Sequence, residues 1–194
     1  MRIAVLGAGR VGRALGERWA AGGHEIVYGV RDPGDPRHVE LRSAAEPVDA
    51  IRSADVVVLA LPWTAVADVV RGLELAEAVV IDATNPLGAS GDVSGAERIA
   101  EWAPQARVVK AFNTTGWENM ADPAYPAGPS AMLVAGDDPS AKDVALALAV
   151  ELGFDALDAG PLAAARELEA VAALWIRLAG SGHGRQIAFS LLRR

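Results

Sequence analysis

The chain has no cysteine among its 194 residues. That absence excludes disulfides, thiolate nucleophiles, thiolate zinc sites and iron–sulfur clusters together. Histidine is scarce, and the three present, at 24, 38 and 183, lie too far apart for a recognisable local metal motif, so no metal is expected. His24 precedes the second predicted strand and reads as an exposed loop residue. No long apolar run exists. The longest strings, Val56–Pro62 and Ala145–Val150, fall far short of the roughly 20 residues a membrane helix needs. Met1-Arg2 leads straight into Ile3–Leu6 and a glycine loop, unlike a secretory leader. A soluble, cytoplasmic protein without membrane insertion is expected. The net charge is -7 and the arginines are scattered singly, so nucleic acid is not an expected partner. Lys110 and Lys142 are the only lysines, an arginine bias that points to no function. Neither Tyr28 nor Tyr125 has a lysine four residues on, and no Gly-x-Ser-x-Gly elbow occurs.

What is present is an alternation of short apolar runs and amphipathic stretches. Ile3–Leu6, Glu25–Gly29, Asp55–Leu61 (DVVVLAL), Ala78–Ala83 and Arg107–Phe112 read as strands, several of them buried on both faces. Val39–Arg42 is a weak further candidate. Ala131–Ala135 and Phe154–Asp158 follow as later strands. Helices are predicted over Arg10–Ala21, Ala44–Ser53, Thr64–Gly72, Ser94–Trp102 and Ser140–Leu152. Beyond Pro161, Leu168, Val171, Ala172, Trp175 and Ile176 fall at helical spacing. A second helix is predicted over Arg185–Leu192, and the loop Asp122–Ser130, with three prolines, is the least regular part.

Gly7-Ala8-Gly9-Arg10-Val11-Gly12 is a G-x-G-x-x-G element placed directly after a strand and opening a helix, the context that gives such a motif its meaning. Gly7 allows the tight turn, Gly9 admits a pyrophosphate close to the backbone, and Gly12 lets helix and strand pack closely. The predicted fold class is therefore α/β, a doubly wound Rossmann-type, mostly parallel sheet with a short C-terminal helical extension. Residues 1–160 form the dinucleotide-binding domain and residues 161–194 the extension packed on it. At the end of the second strand an NAD binder usually places Asp or Glu. Here the chain reads Val30-Arg31, and an arginine pairs well with a 2′-phosphate, so NADP(H) is the expected cofactor.

Ligands in open α/β sheets bind beyond the carboxyl ends of the strands. Three such ends carry polar or rigid residues: Leu61-Pro62-Trp63, Thr84-Asn85-Pro86-Leu87 and Asn113-Thr114-Thr115. The prolines also serve simply to end strands, and Trp63 is either core or a platform for a ring. Asn113 and Thr114 are the candidates nearest the chemistry. Acid–base side chains are few, so the reaction is one of positioning: hydride transfer between nicotinamide and a flavin-like ring that carries its own electronics. Imine or carbonyl reduction would call for a large second helical domain, which about 34 residues after Gly160 do not supply. A redox-sensing module that binds NADP without turnover stays open. The apolar face around Trp175 and Ile176 packs on the sheet or across a homodimer axis.

The string LGAGRVGRALGERWAAGGHEIVYGVRDP resembles the start of NADPH-dependent oxidoreductases of the deazaflavin (coenzyme F420) reductase family. VVVLALPW, VIDATNPL, VVKAFNTTGWENM and FDALDAGPLAAARELEAVAALWIRLA are similar to its later blocks, so the resemblance spans nearly the whole chain. The cytosolic NADPH-binding domain of membrane metalloreductases is related, and VVKAFNT is closer to that branch. The resemblance implies NADP held by Gly7–Gly12 and Arg31, with a small-molecule acceptor, F420 or FMN/FAD, over the nicotinamide. Two positions depart from the family pattern: Val30, where a small polar residue is usual, and Asn113-Thr114, where the deazaflavin enzymes favour His-Thr.

Overall fold

Runs of β-branched residues flanked by helices have to be covered on both faces, and they form the middle of the sheet. A computed structural model describes residues 1–41, 43–88 and 92–194. Its strands are β1 (Arg2–Leu6), β2 (Glu25–Gly29), β3 (Ala44–Ala45), β4 (Val56–Leu59), β5 (Val79–Asp82) and β6 (Arg107–Lys110). A two-stranded hairpin, β7 (Ala124–Tyr125) and β8 (Gly128–Pro129), gives the proline-rich loop its shape. Then come β9 (Ala131–Gly136) and β10 (Asp155–Gly160). The helices are α1 (Arg10–Ala21), α2 (Pro47–Ala50), α3 (Trp63–Arg71), α4 (Gly95–Trp102), α5 (Trp117–Ala121), α6 (Pro139–Leu152) and α7 (Ala165–Leu178).

The sheet order is β10-β9-β6-β5-β4-β1-β2-β3. The first six strands are parallel, β9 runs antiparallel to β6, and β10 follows β9. The fold is thus the doubly wound α/β architecture that the alternation predicts. Successive strand residues alternate between two apolar layers. Val5, Val58, Ile81 and Val109 meet Leu15 and Trp19 of α1 and Leu148 of α6. Leu6, Leu59, Val80 and Val108 meet Val66 and Val70 of α3 and Ile99 of α4.

Local chemistry moves several boundaries. Asp35 accepts a bond from the Arg37 backbone and caps a 3-10 turn over Pro36–His38, so no strand forms at Val39–Leu41; Arg42 lies outside the described residues. The third strand instead comes from Ala44 and Ala45, in register with Tyr28 and Gly29, and the helix predicted from Ala44 shortens to one turn starting at Pro47. Residues 185–192 are not helical. Their carbonyls turn outward: Ile187 O accepts from Trp175 Nε1 and Asn119 Nδ2, both at 2.7 Å, and Phe189 O accepts from Ala131 N at 2.9 Å. Bonds to neighbouring elements replace the i→i−4 ladder that a helix would need. His24 also differs from expectation, with a side chain only 9% exposed and its Nε2 2.6 Å from Glu151.

The extension docks through α7, whose Leu168, Ala172 and Trp175 are buried. Arg166 of α7 binds both oxygens of Glu97, at 2.9 and 2.6 Å, and Glu97 completes a capping box with Ser94 at the start of α4. The Arg166 guanidinium lowers the Glu97 carboxyl from its ordinary 4.5 to about 2. A depressed folded-state value means that the stabilisation is complete above pH 4.5 and is lost as pH falls towards 2. Urea midpoints followed by tryptophan fluorescence should therefore drop across that window, and Glu97→Gln should flatten the drop while lowering the midpoint at neutral pH. An identical acid profile in the variant would remove Glu97 from the account.

Candidate functional site

Gly7 leaves β1 with φ +106, donating its N–H to Gly29 O at 2.9 Å. A Cβ there would stand 2.4 Å from Ala60 O, and one on Gly12 would stand 2.0 Å from Gly7 O, so both positions require glycine. Gly9 is the N-cap of α1 and has no side-chain cap; the first turn carries no acidic residue. Among the described residues nothing lies within 4 Å of where its Cβ would be. The free N–H groups of a 12-residue helix, with their partial positive charge, thus open onto empty space. Chemically this is a cradle for an anion, and a pyrophosphate fits it.

That space is a cleft of about 930 Å³ at the point where the strand order reverses between β1 and β4. Its walls bring together six of the residues singled out from the sequence: Gly7, Gly9, Val30, Arg31, Leu61 and Pro62. Gly12 is buried behind the loop, and Val11 packs on the core. Arg10 is exposed and lies 5.9 Å from the centre of the Trp117 ring. Trp63 turns towards α4, stacking on Trp102 at 5.7 Å and reaching Gly95, so among the described residues it is not part of the cleft wall.

Arg13, Arg37 and His38 also line the cleft, beside Arg31. None of the three is marked by a sequence motif: Arg13 reaches the cleft from the first turn of α1, and the turn at Pro36–His38 folds Arg37 and His38 back onto it. Arg13 donates to Ala8 O at 3.0 Å and to Arg37 O at 2.6 Å, joining the glycine loop to that turn. Arg37 pairs with Asp35 at 2.6 Å, and this hydrogen-bonded guanidinium holds the Asp35 carboxyl well below the usual carboxylate range.

Parallel register sets Leu6, Leu59, Asp82 and Lys110 side by side at the carboxyl ends of β1, β4, β5 and β6. Lys110, given no function from sequence, is completely buried. Its ammonium donates to Asp82 Oδ2 at 2.8 Å and to Thr84 O at 2.7 Å, and lies 3.0 Å from Glu169 of α7. Asp82 in turn accepts from Thr84 N and Oγ1. Next to this cluster the candidate asparagines bind each other. Asn85 Nδ2 donates to Asn113 O at 3.0 Å; Asn113 Nδ2 donates to Asn85 Oδ1 at 3.1 Å and Leu168 O at 3.2 Å. Asn113 Oδ1 is buried without a partner among the described residues. Asn85 and Pro86 line a second pocket of about 270 Å³. Thr114 is buried against a third, apolar pocket of about 370 Å³ beside Leu133, Leu157 and Phe189.

Among the described residues no cluster of His, Asp or Glu is arranged to hold a metal ion, and no helix is long and apolar enough to cross a membrane.

The profile of the family described as "NADP oxidoreductase coenzyme F420-dependent" matches residues 2–86. The F420-dependent NADP reductase of Methanothermobacter thermautotrophicus is 32% identical over 208 residues, covering 92% of this chain and 89% of that protein. Metalloreductase STEAP3 of Rattus norvegicus is 31% identical over 182 residues, covering 88% of this chain but 36% of the relative, so the chain spans about a third of its length. A crystal structure from Arthrobacter sp. FB24, provisionally assigned as an F420-dependent NADP reductase, superposes with a TM-score of 0.87 at 29% identity over 100% of both chains.

The Lys110 cluster generates its own test. Lys110→Met leaves two carboxylates at a buried site without their cation and should cost about 3–5 kcal/mol of stability, read from equilibrium urea unfolding. A loss below about 1 kcal/mol would mean that the cation does not hold α7 to the sheet.

Proposed function

The chain belongs to the family of coenzyme F420-dependent NADP oxidoreductases, and on that footing we propose that it passes a hydride between NADP(H) and a ring acceptor, the deazaflavin F420 or FMN/FAD. The observation that carries this reading is the uncapped, acid-free N-terminus of α1, which opens onto a cleft walled by Arg13, Arg31 and Arg37. The glycine-loop N–H groups bind the pyrophosphate. Arg31 binds the 2′-phosphate, and Arg37 joins it by exchanging Asp35 for the phosphate, which supplies what the apolar Val30 lacks.

When bound, the nicotinamide supplies or accepts the hydride. The protein's part is orientation. Pro62 and Pro86 make rigid walls at the ends of β4 and β5, and the Asn85–Asn113 pair presents amide groups at the ends of β5 and β6. A ring acceptor brings its own electronics, which suits a site with few acid–base groups.

Loss of NADPH absorbance should be followed against F420, FMN, FAD and ferric chelates. Turnover with a ring acceptor is the expected result. Tight NADPH binding with no turnover on any of them would overturn the reductase reading in favour of a non-catalytic NADP-binding module. Arg31→Ala should weaken NADPH by about 2 kcal/mol, roughly 30-fold, and leave NADH little changed. Equal losses for both would show that Arg31 does not read the 2′-phosphate.

A further inference from the structure

The 270 Å³ pocket beside Asn85 and Pro86 carries two side chains with unused hydrogen-bonding capacity. The first is Glu169. Its carboxylate, 13% exposed, pairs with Lys110 at 3.0 Å and shares one N–H, from Gly95, between its oxygens at 2.9 and 3.2 Å. An ionised carboxylate accepts only and offers about four lone-pair sites, so acceptor capacity is left over towards the pocket. The second is Arg98 of α4, whose guanidinium has no hydrogen bond or ion pair among the described residues. Arg166, also on the wall, is already committed to Glu97.

A pocket for an anion would not hold a carboxylate in its wall, and a pocket for a cation would not hold a guanidinium that no carboxylate among the described residues neutralises. The complement of one fixed acceptor and one donor is a neutral group with N–H beside C=O. We propose that this pocket is an amide-reading subsite, in which Glu169 receives an N–H and Arg98 donates to the adjacent carbonyl. Glu169 is preorganised for that task, because Lys110 and Gly95 hold it in place before any ligand arrives. Ala170 and Ala173 of α7 leave the wall low enough for a flat group. The inference rests on the proposed function, which supplies two sources of such an edge: the carboxamide of the nicotinamide, or the imide edge of a flavin-like ring.

The test compares matched ligands with and without the N–H. In one arm the Kd of NADP⁺ is set against that of its 3-acetylpyridine analogue, which keeps the carbonyl and replaces the NH₂ by methyl. In the other, with NADP⁺ saturating, lumiflavin is set against 3-methyllumiflavin. The expected result is a preference of about tenfold or more for the N–H form in one arm, and the arm that shows it names the source. Glu169→Met should bring that ratio close to one, whereas Arg98→Leu, which removes the donor to the carbonyl that both ligands of a pair keep, should weaken both about tenfold and leave the ratio unchanged. Arg98 sits on a partly exposed helix face, so its variant tests the subsite even where Glu169→Met fails to fold. Ratios near one in both arms for the wild type overturn the subsite and leave NADP⁺ binding untouched. Absence of NADP⁺ binding overturns the functional reading as well.

Discussion

One buried ammonium organises the functional end of this protein. Lys110 emerges from the last residue of β6 into a fully enclosed position, where an unpaired cation would cost several kcal/mol. It is tolerated because Asp82 and the Thr84 carbonyl come from the neighbouring strand end, and Glu169 comes from α7. Glu169 then takes the backbone N–H of Gly95. Two strands and two helices therefore converge on a single charge, at the carboxyl edge where ligands of open α/β sheets bind. Glu169 ties α7 to this cluster, beside the burial of Leu168 and Trp175.

The rest of the site follows from the alignment of strand ends. Parallel pairing in register makes β1, β4, β5 and β6 stop in one row, so the segments after them emerge side by side. Each turns by its own local chemistry. Gly7 uses a positive φ that only glycine adopts freely. Phe112 adopts φ +59 despite its side chain, held edge-on to Trp19 at 5.4 Å, with its N–H on the Met132 sulfur at 3.1 Å. Packing thus maintains a conformation of sparse population at the point where Asn113 is aimed.

Much of this was legible in the chain. Asp55–Leu61 reads as a strand covered on both faces because every residue from Val56 to Leu59 is apolar, and it is the strand next to β1. The glycine loop and Arg31 announce one cleft through their distance from a strand end. The tail misleads for an equally physical reason. Arg185–Leu192 has the composition of a helix, but Trp175 and Asn119 donate to the Ile187 carbonyl and β9 offers Ala131 N to Phe189, and these partners outweigh local preference. His24 sits in a turn, yet its ring is covered and meets Glu151, 127 residues away.

The sequence by itself determined the strand and helix alternation, the glycine turn into α1 and the arginine after β2, because these depend on side-chain periodicity and on backbone conformations that few residues adopt. Only the tertiary structure decided that Arg13 and Arg37 share the cleft with Arg31, that Trp63 faces α4, and that Lys110 is a buried hub. Those assignments depend on which distant residues meet, and an isolated lysine or arginine carries no mark of the carboxylate or carbonyl that the fold will bring to it.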